Sequence, residues 1–528
     1  MSALTMFRDI FILKGWFIFL GVACIVLGIV HSDAETNGAF SNFTLSNDKK
    51  ELHRFDFPKD FVFGVATSAY QIEGAVSEGG RGSTIWDTFV NIPGKIADNK
   101  TAAVTADQYH HFREDVELIK ELNMDAYRFS IAWSRIIPDG MGQVLNMEGV
   151  VYYNNLIDVL LEKGITPYVT LYHWDLPQPL QDNLGGWVNP EIVKHYAYYA
   201  NTCFTLFGDR VKHWLTFNEP TQICVNGYGT GLHAPGRSSN RTISNNGNSS
   251  IEPYLAAHNI LIAHATVVKI YRSHYNYQGG TIGFTIDCDW TEPLSNSEED
   301  KEATDRHRAF QLGWWLDPIF IGDYPSLMRQ NVGDRLPQFT EAERLLLKNS
   351  VDFVGLNHYT TRWVTSLSFP RNQSQITLLM DQGVLTTVER DGVLIGEQAQ
   401  SSWLYIVPWG MQKLIEHVWN TYKTPIYICE NGVDEFNNKT LPIEDALKDA
   451  RRVKYYRDYI MSMYKAIESG ADVRAYIAWS LLDNFEWAAG YTSRFGLYYV
   501  DFETERRYPK DSAEWFSNFL KSKDGPHH

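Results

Sequence analysis

Two short stretches carry residues able to work as a pair: Thr216-Phe217-Asn218-Glu219-Pro220 and Tyr427-Ile428-Cys429-Glu430-Asn431-Gly432. Each sets a carboxylate at the end of an apolar, β-prone run, beside an Asn and just before a chain-turning Pro or Gly. A barrel strand delivering a polar side chain at its C-terminal mouth is written this way. Two carboxylates facing one sugar are what glycosidic cleavage needs. One protonates the leaving oxygen, and the other attacks the anomeric carbon.

The elements that would hold such a pair are legible. Strands are predicted over Phe61–Thr67, Ala126–Ser130, Pro167–His173, Trp214–Asn218, Thr281–Ile286, Phe353–Asn357, Ile426–Glu430 and Ala475–Ser480. Between them lie stretches with helical spacing of apolar residues, such as Asp107–Leu122, Val151–Lys163, Pro190–Phe207 and Pro253–Tyr275. Eight strands interleaved with helices imply an α/β fold, a (β/α)8 TIM barrel spanning 55–520 as a single domain. Long excursions, Ser238–Ser250 and Ser366–Gln400, fall where loops at the C-terminal face shape access. Nearly every strand ends on a group suited to a neutral polyol: Gln71, Arg128, His173, Asn218, Asn357, then Trp479 through Glu486 and Trp487.

The 528 residues carry a net charge of −16, which argues against nucleic-acid or anionic-membrane partners. Aromatics reach 14%, with 16 Trp, a content that a large core explains as well as sugar stacking does. Arg8 and Lys14 precede an apolar run from Trp16 to Val30 and then Ser32-Asp33-Ala34, the pattern of a secretory leader over 1–34. A polar arm over 35–54 follows, and 521–528 read as a tail. Six Asn-x-Ser/Thr triplets, at Asn42, Asn99, Asn240, Asn248, Asn372 and Asn438, become candidate glycosylation sites behind such a leader. Without an ER-retention signal at the end, the expected destination is extracellular, apoplastic or vacuolar. The five Cys form neither a disulfide framework nor a metal motif. His213, His110 and His111 have no metal-spacing partner in sequence and read as structural. Glu73, Asp175 and Asp483 read as supporting carboxylates.

These segments, together with Ala66-Thr67-Ser68-Ala69-Tyr70-Gln71-Ile72-Glu73-Gly74 and the run Trp479–Trp487, resemble glycoside hydrolase family 1 from about Phe55 to Leu520. The wording around Ser402-Trp403-Leu404-Tyr405 is most similar to plant β-glucosidases. The resemblance implies retaining hydrolysis of terminal β-D-glucosyl residues from small glucosides or oligosaccharides, with no metal or cofactor and no set oligomeric state. It implies Glu219 as acid/base and Glu430 as nucleophile, with Arg128 and Tyr359 beside the nucleophile. Gln71, His173, Asn218, Asn357, Glu486 and Trp487 would bind hydroxyls, and Trp479 would lie under the ring. Trp403 would wall the aglycone side, and Phe495 would lie near the sugar's outer edge.

Two positions depart from the family. Cys429 stands where Thr is usual, and strand alternation turns it away from Glu430. Ser238-Ser239 occupy a loop that plant relatives commonly staple with a disulfide. Glycosyl transfer to an alcohol is a reading that sequence does not separate from hydrolysis. Thioglucosidase is disfavoured, because that branch replaces the acid/base Glu by Gln. A non-catalytic sugar-binding protein is disfavoured by retention of both carboxylates.

Overall fold

A computed structural model describes residues 51–367 and 377–521. The predicted leader, most of the arm, Asn42, Asn372 and nearly all of the tail lie outside the described residues. Eight parallel strands close into a barrel: β1 Val62–Ala66, β2 Ala126–Ser130, β3 Thr166–Tyr172, β4 His213–Asn218, β5 Thr281–Asp287, β6 Phe353–Asn357, β7 Ile426–Asn431 and β8 Val473–Trp479. Each pairs with its neighbours in sequence, and β8 returns to β1 through Val62↔Ala475 to Ala66↔Trp479. The strands are buried on both faces, as a parallel sheet wrapped in helices requires. That is why they read as apolar runs rather than as alternating ones.

The outer ring comprises α1 Gln108–Glu121, α2 Met147–Glu162, α3 Ile192–Phe207, α4 Glu252–Ile270, α5 Glu341–Leu347, α6 Trp409–Tyr422, α7 Ala450–Glu468 and α8 Asp511–Lys521. Local chemistry sets their ends. The Thr340 side chain caps α5 by accepting from Glu343 N, with Glu343 reaching back in a capping box. Pro253 sits in the first turn of α4, where a missing N–H is harmless. α2 starts a turn earlier than its predicted Val151, at Met147.

The barrel is filled. Tyr427 stacks on Phe353 at 4.1 Å and meets Tyr168 at 6.1 Å across the floor. Two glycines make this filling fit. A Cβ on Gly283 would sit 2.4 Å from the Phe353 ring, and one on Gly355 would sit 2.5 Å from Thr285 Oγ1. The Gly355 Cβ would also lie 2.9 Å from Cys429 Sγ. Cys429 is therefore inside the barrel, under the catalytic face. The pairing of β7 shifts register after Ile428 against both β6 and β8. Simple alternation, from which Cys429 was expected to point away, does not hold across that irregularity.

Long excursions decorate the C-terminal face. Strands Trp290–Pro293, Thr361–Ser366 and Val384–Thr387 form a small sheet above β5 and β6. The Ser238–Ser250 loop has no disulfide but is clasped by serines. Ser239 N donates to Ser249 Oγ and Ser249 N donates to Ser239 Oγ, each at 2.8 Å. Ser249 Oγ then donates to Gly229 O at 2.6 Å. The four described sequons, Asn99, Asn240, Asn248 and Asn438, are all exposed. Among the described residues, no helix is long and apolar enough to cross a membrane.

Candidate active site

The C-terminal strand ends surround a cavity of about 520 Å³. It is lined by Gln71, His173, Asn218, Glu219, Asn357, Tyr359, Trp403, Glu430, Trp479, Glu486, Trp487 and Phe495. Arg128, on β2, is fully buried beneath it. All the sequence-predicted catalytic and sugar-contact residues thus come together, although they span more than 400 positions.

The two central carboxylates have different surroundings. Glu430, on β7, lies 2.6 Å from Arg128 Nη1 through Oε1, and Tyr359 Oη donates to its Oε2 at 2.8 Å. Both oxygens therefore face strong donors, one of them a guanidinium. Glu219 follows β4 at a φ of 46°, the left-handed region that costs a non-glycine residue on the order of 1 kcal/mol or more. This turn lifts its carboxylate into the cavity. Among the described residues its one hydrogen-bond donor is Asn357 Nδ2, at 2.7 Å from Oε1. Burial first, and then the charges of Glu430 and Asp287, push its carboxyl well above the ordinary range.

A polar net binds the halves together. Arg128 Nη2 donates to Asn218 Oδ1 at 2.5 Å, and Asn357 Nδ2 donates to the same oxygen at 3.1 Å. Asn218 Nδ2 is 3.0 Å from His173 Nε2, so this amide donor fixes the ring nitrogen as an acceptor. Burial, and then the Arg128 charge, hold His173 well below its usual range, hence neutral. On the far side, Gln71 Nε2 donates to Asn484 Oδ1 at 3.0 Å and to Glu486 Oε2 at 3.3 Å. Burial pushes Glu486 up to about 8, helped by Asp434 and Glu430. Trp487, at a φ of 49°, lies 4.5 Å from Trp174 and 4.7 Å from Trp86. Its ring is thereby fixed while its edge borders the cavity.

The outer part of the cavity holds residues the sequence reading missed: Trp174, Gln222, Asn226, His233, Asp287, Asp289 and Arg362. Asp287 ends β5 and accepts from Gln222 Nε2 at 2.8 Å. Burial pushes it up to about 6. Its signal was its place one residue past the predicted strand end, Ile286. Trp403, 45% exposed, stands at the rim with its edge to Tyr359 at 5.7 Å. Arg362 donates to the Trp403 carbonyl and holds that rim segment in place. Glu73 and Asp483 are structural: Glu73 pairs with Arg135 at 3.0 Å, and Asp483 with Arg494 and Lys510 at 2.5 and 2.9 Å.

A family model described as glycosyl hydrolase family 1 matches residues 53–525. Beta-glucosidase 42 of Arabidopsis thaliana is 53% identical over 473 residues, covering 89% of this chain and 95% of its own. Beta-glucosidase 34 of Oryza sativa subsp. japonica is 53% identical over 482 residues, covering 89% and 93%. The crystal structure of a rice β-glucosidase superposes with a TM-score of 0.88 at 52% identity, covering 89% of this chain and all of that one. A β-glucosidase from the fungus Humicola insolens, solved in complex with glucose, gives 0.85 at 44% identity over 88% and 98%.

Proposed function

The chain belongs to glycosyl hydrolase family 1, and on that premise we propose that Glu430 is the nucleophile and Glu219 the acid/base of its retaining β-glucosidase reaction. What supports the assignment is the asymmetry of partners among the described residues: Arg128 and Tyr359 on Glu430, a single amide on Glu219. Glu430 attacks the anomeric carbon of a terminal β-D-glucosyl residue. The glycosidic bond breaks, its electron pair stays on the leaving oxygen, and that oxygen takes the proton of Glu219. Esterification removes the charge of Glu430, one of the causes raising Glu219. Glu219 then ionises more readily and takes a proton from the incoming water. The water's oxygen bonds to the anomeric carbon, β-glucose leaves, and Glu430 returns as a carboxylate.

Gln71, His173, Asn218, Asn357, Glu486 and Trp487 take the glucosyl hydroxyls. Trp479 lies under the ring, and Phe495 at its edge. Neutral His173, its Nε2 already taken by Asn218, leaves Nδ1–H as a donor, while a protonated Glu486 offers both a donor and an acceptor to hydroxyls. Trp403 walls the aglycone side, where Asp287, Asp289, Gln222 and Asn226 add polar groups. The leader pattern and the exposed sequons Asn99, Asn240, Asn248 and Asn438 support a glycosylated product of the secretory pathway, delivered outside the cell or to the vacuole.

The test is to trap the intermediate with an activated 2-deoxy-2-fluoro-β-glucoside and to map the ester by peptide mass spectrometry. The adduct is expected on the peptide carrying Glu430. An adduct on any other carboxylate overturns the assignment.

A further inference from the structure

Away from the cavity, the start of α1 meets the turn between the paired strands Tyr498–Val500 and Arg507–Pro509. Asp107 immediately precedes α1, His111 lies one turn into it, and Glu505 sits in the turn. His111 Nε2 is 3.2 Å from Glu505 Oε2 and 3.9 Å from Asp107 Oδ2. The three ligand atoms all lie within 4.8 Å of one another. His111 Nδ1 is 3.1 Å from Glu114 Oε2.

An ionised carboxylate only accepts, so the contact with Glu114 requires Nδ1–H. In the neutral ring, Nε2 then turns its lone pair toward two further acceptors. Three acceptors converge, and a positive centre must sit among them: a second proton, or a metal ion. An imidazole oriented by a carboxylate at one nitrogen and offering the other is how metal-bound histidines are held. Bonds of 2.0–2.2 Å in a tetrahedral zinc site put neighbouring ligand atoms roughly 3.3–3.5 Å apart. The observed 3.2 and 3.9 Å bracket that spacing.

The surroundings are rich in carboxylates, with His110 as a cation held between two of them. Both Asp107 oxygens accept from His110 Nδ1, at 2.8 and 2.9 Å, while His110 Nε2 lies 3.3 Å from Glu78. A further nearby cation, Arg507, is engaged with Asp115 and with the carbonyls of Glu505 and Ala106. One imidazole with two carboxylates suits a first-row transition ion better than magnesium or calcium.

We propose that Asp107, His111 and Glu505 form a binding site for a divalent transition metal of the zinc class, completed by water. The ion fastens the first helix of the barrel to its closing hairpin. Glu505 lies 394 positions from His111, and for that reason the histidine read as structural in the sequence.

The test uses the full chain, stripped with chelator and titrated with Zn²⁺, with calorimetry for stoichiometry and thermal unfolding for stability. One equivalent is expected to bind, with Tm rising by roughly 2–4 °C at saturation. Co²⁺ in its place gives visible d–d absorption. Glu505→Gln, in an exposed turn, and His111→Asn lose all three signals while turnover of an aryl β-glucoside stays unchanged. The same zinc response in both variants overturns the site. So does a Tm that responds to pH but not to either metal, which would leave a proton as the occupant.

Discussion

Arg128 and Glu430 face each other at 2.6 Å, the guanidinium fully buried and the carboxylate nearly so at the cavity wall, and the other arm of the same guanidinium reaches Asn218. One cation thus organises both the proposed nucleophile and the residue adjoining the proposed acid. Arg128→Gln strands a buried charge, a change that costs about 3–5 kcal/mol when it cannot be relieved. Relief by protonating Glu430 would abolish its nucleophilicity. The expected result is a kcat loss of roughly a thousandfold or more, with a lowered urea midpoint. Arg128→Lys keeps the charge and loses the fork, so stability falls less than activity.

Glu219→Gln removes the proton donor but keeps the shape. Hydrolysis of cellobiose, whose leaving group needs that proton, should fall by about 10³-fold or more. A dinitrophenyl glucoside, which leaves unaided, should lose much less in its first step. Equal losses on the two substrates would remove Glu219 from the acid role.

The alkaline limb of kcat/KM should follow Glu219, since its protonated form starts the cycle and is lost as pH rises through its pKa. Asp287 is one of the charges raising that value. Asp287→Asn should therefore move the alkaline limb to lower pH, leaving the acid limb in place. A limb that stays fixed would dissociate Asp287 from the acid.

Glu486 titrates near 8 when folded and near the ordinary 4.5 when unfolded. Between those values the unfolded chain binds fewer protons, so this group's contribution to stability falls as pH rises from 4.5 to about 8. Glu486→Gln removes the titration. The Tm difference between the variant and the parent should shift in the variant's favour across that window.

Trp403→Ala should act on binding rather than chemistry. A half-exposed indole against an aryl aglycone contributes about 1 kcal/mol, so KM for an aryl glucoside should rise several-fold with kcat nearly constant. A matching fall in kcat would instead make Trp403 part of the transition-state machinery.

Most of this site could be read from the chain because barrel geometry maps strand ends onto one face. Asn218-Glu219 and Glu430 were visible as polar endings of apolar runs, and Gln71, His173 and Trp479 followed by the same logic. Asp287 escaped because aspartate is disfavoured in strands, so the predicted end of β5 stopped one residue short. Asp289, Arg362 and Asn226 escaped because they stand on connections whose paths are set by tertiary packing. Cys429 illustrates another limit: alternation predicts facing only in an unbroken strand, and the shift after Ile428 leaves no sequence signal.

The serine clasp at Ser239 and Ser249 gives the Ser238–Ser250 loop a closure with no reduction potential. The four described cysteines, Cys203, Cys224, Cys288 and Cys429, are buried and free. Among the described residues, then, nothing that shapes the catalytic face can be opened by thiol exchange. Dithiothreitol in the assay should leave both Tm and KM where they were, and a reducing cytosol should serve as well as an oxidising lumen for folding this barrel.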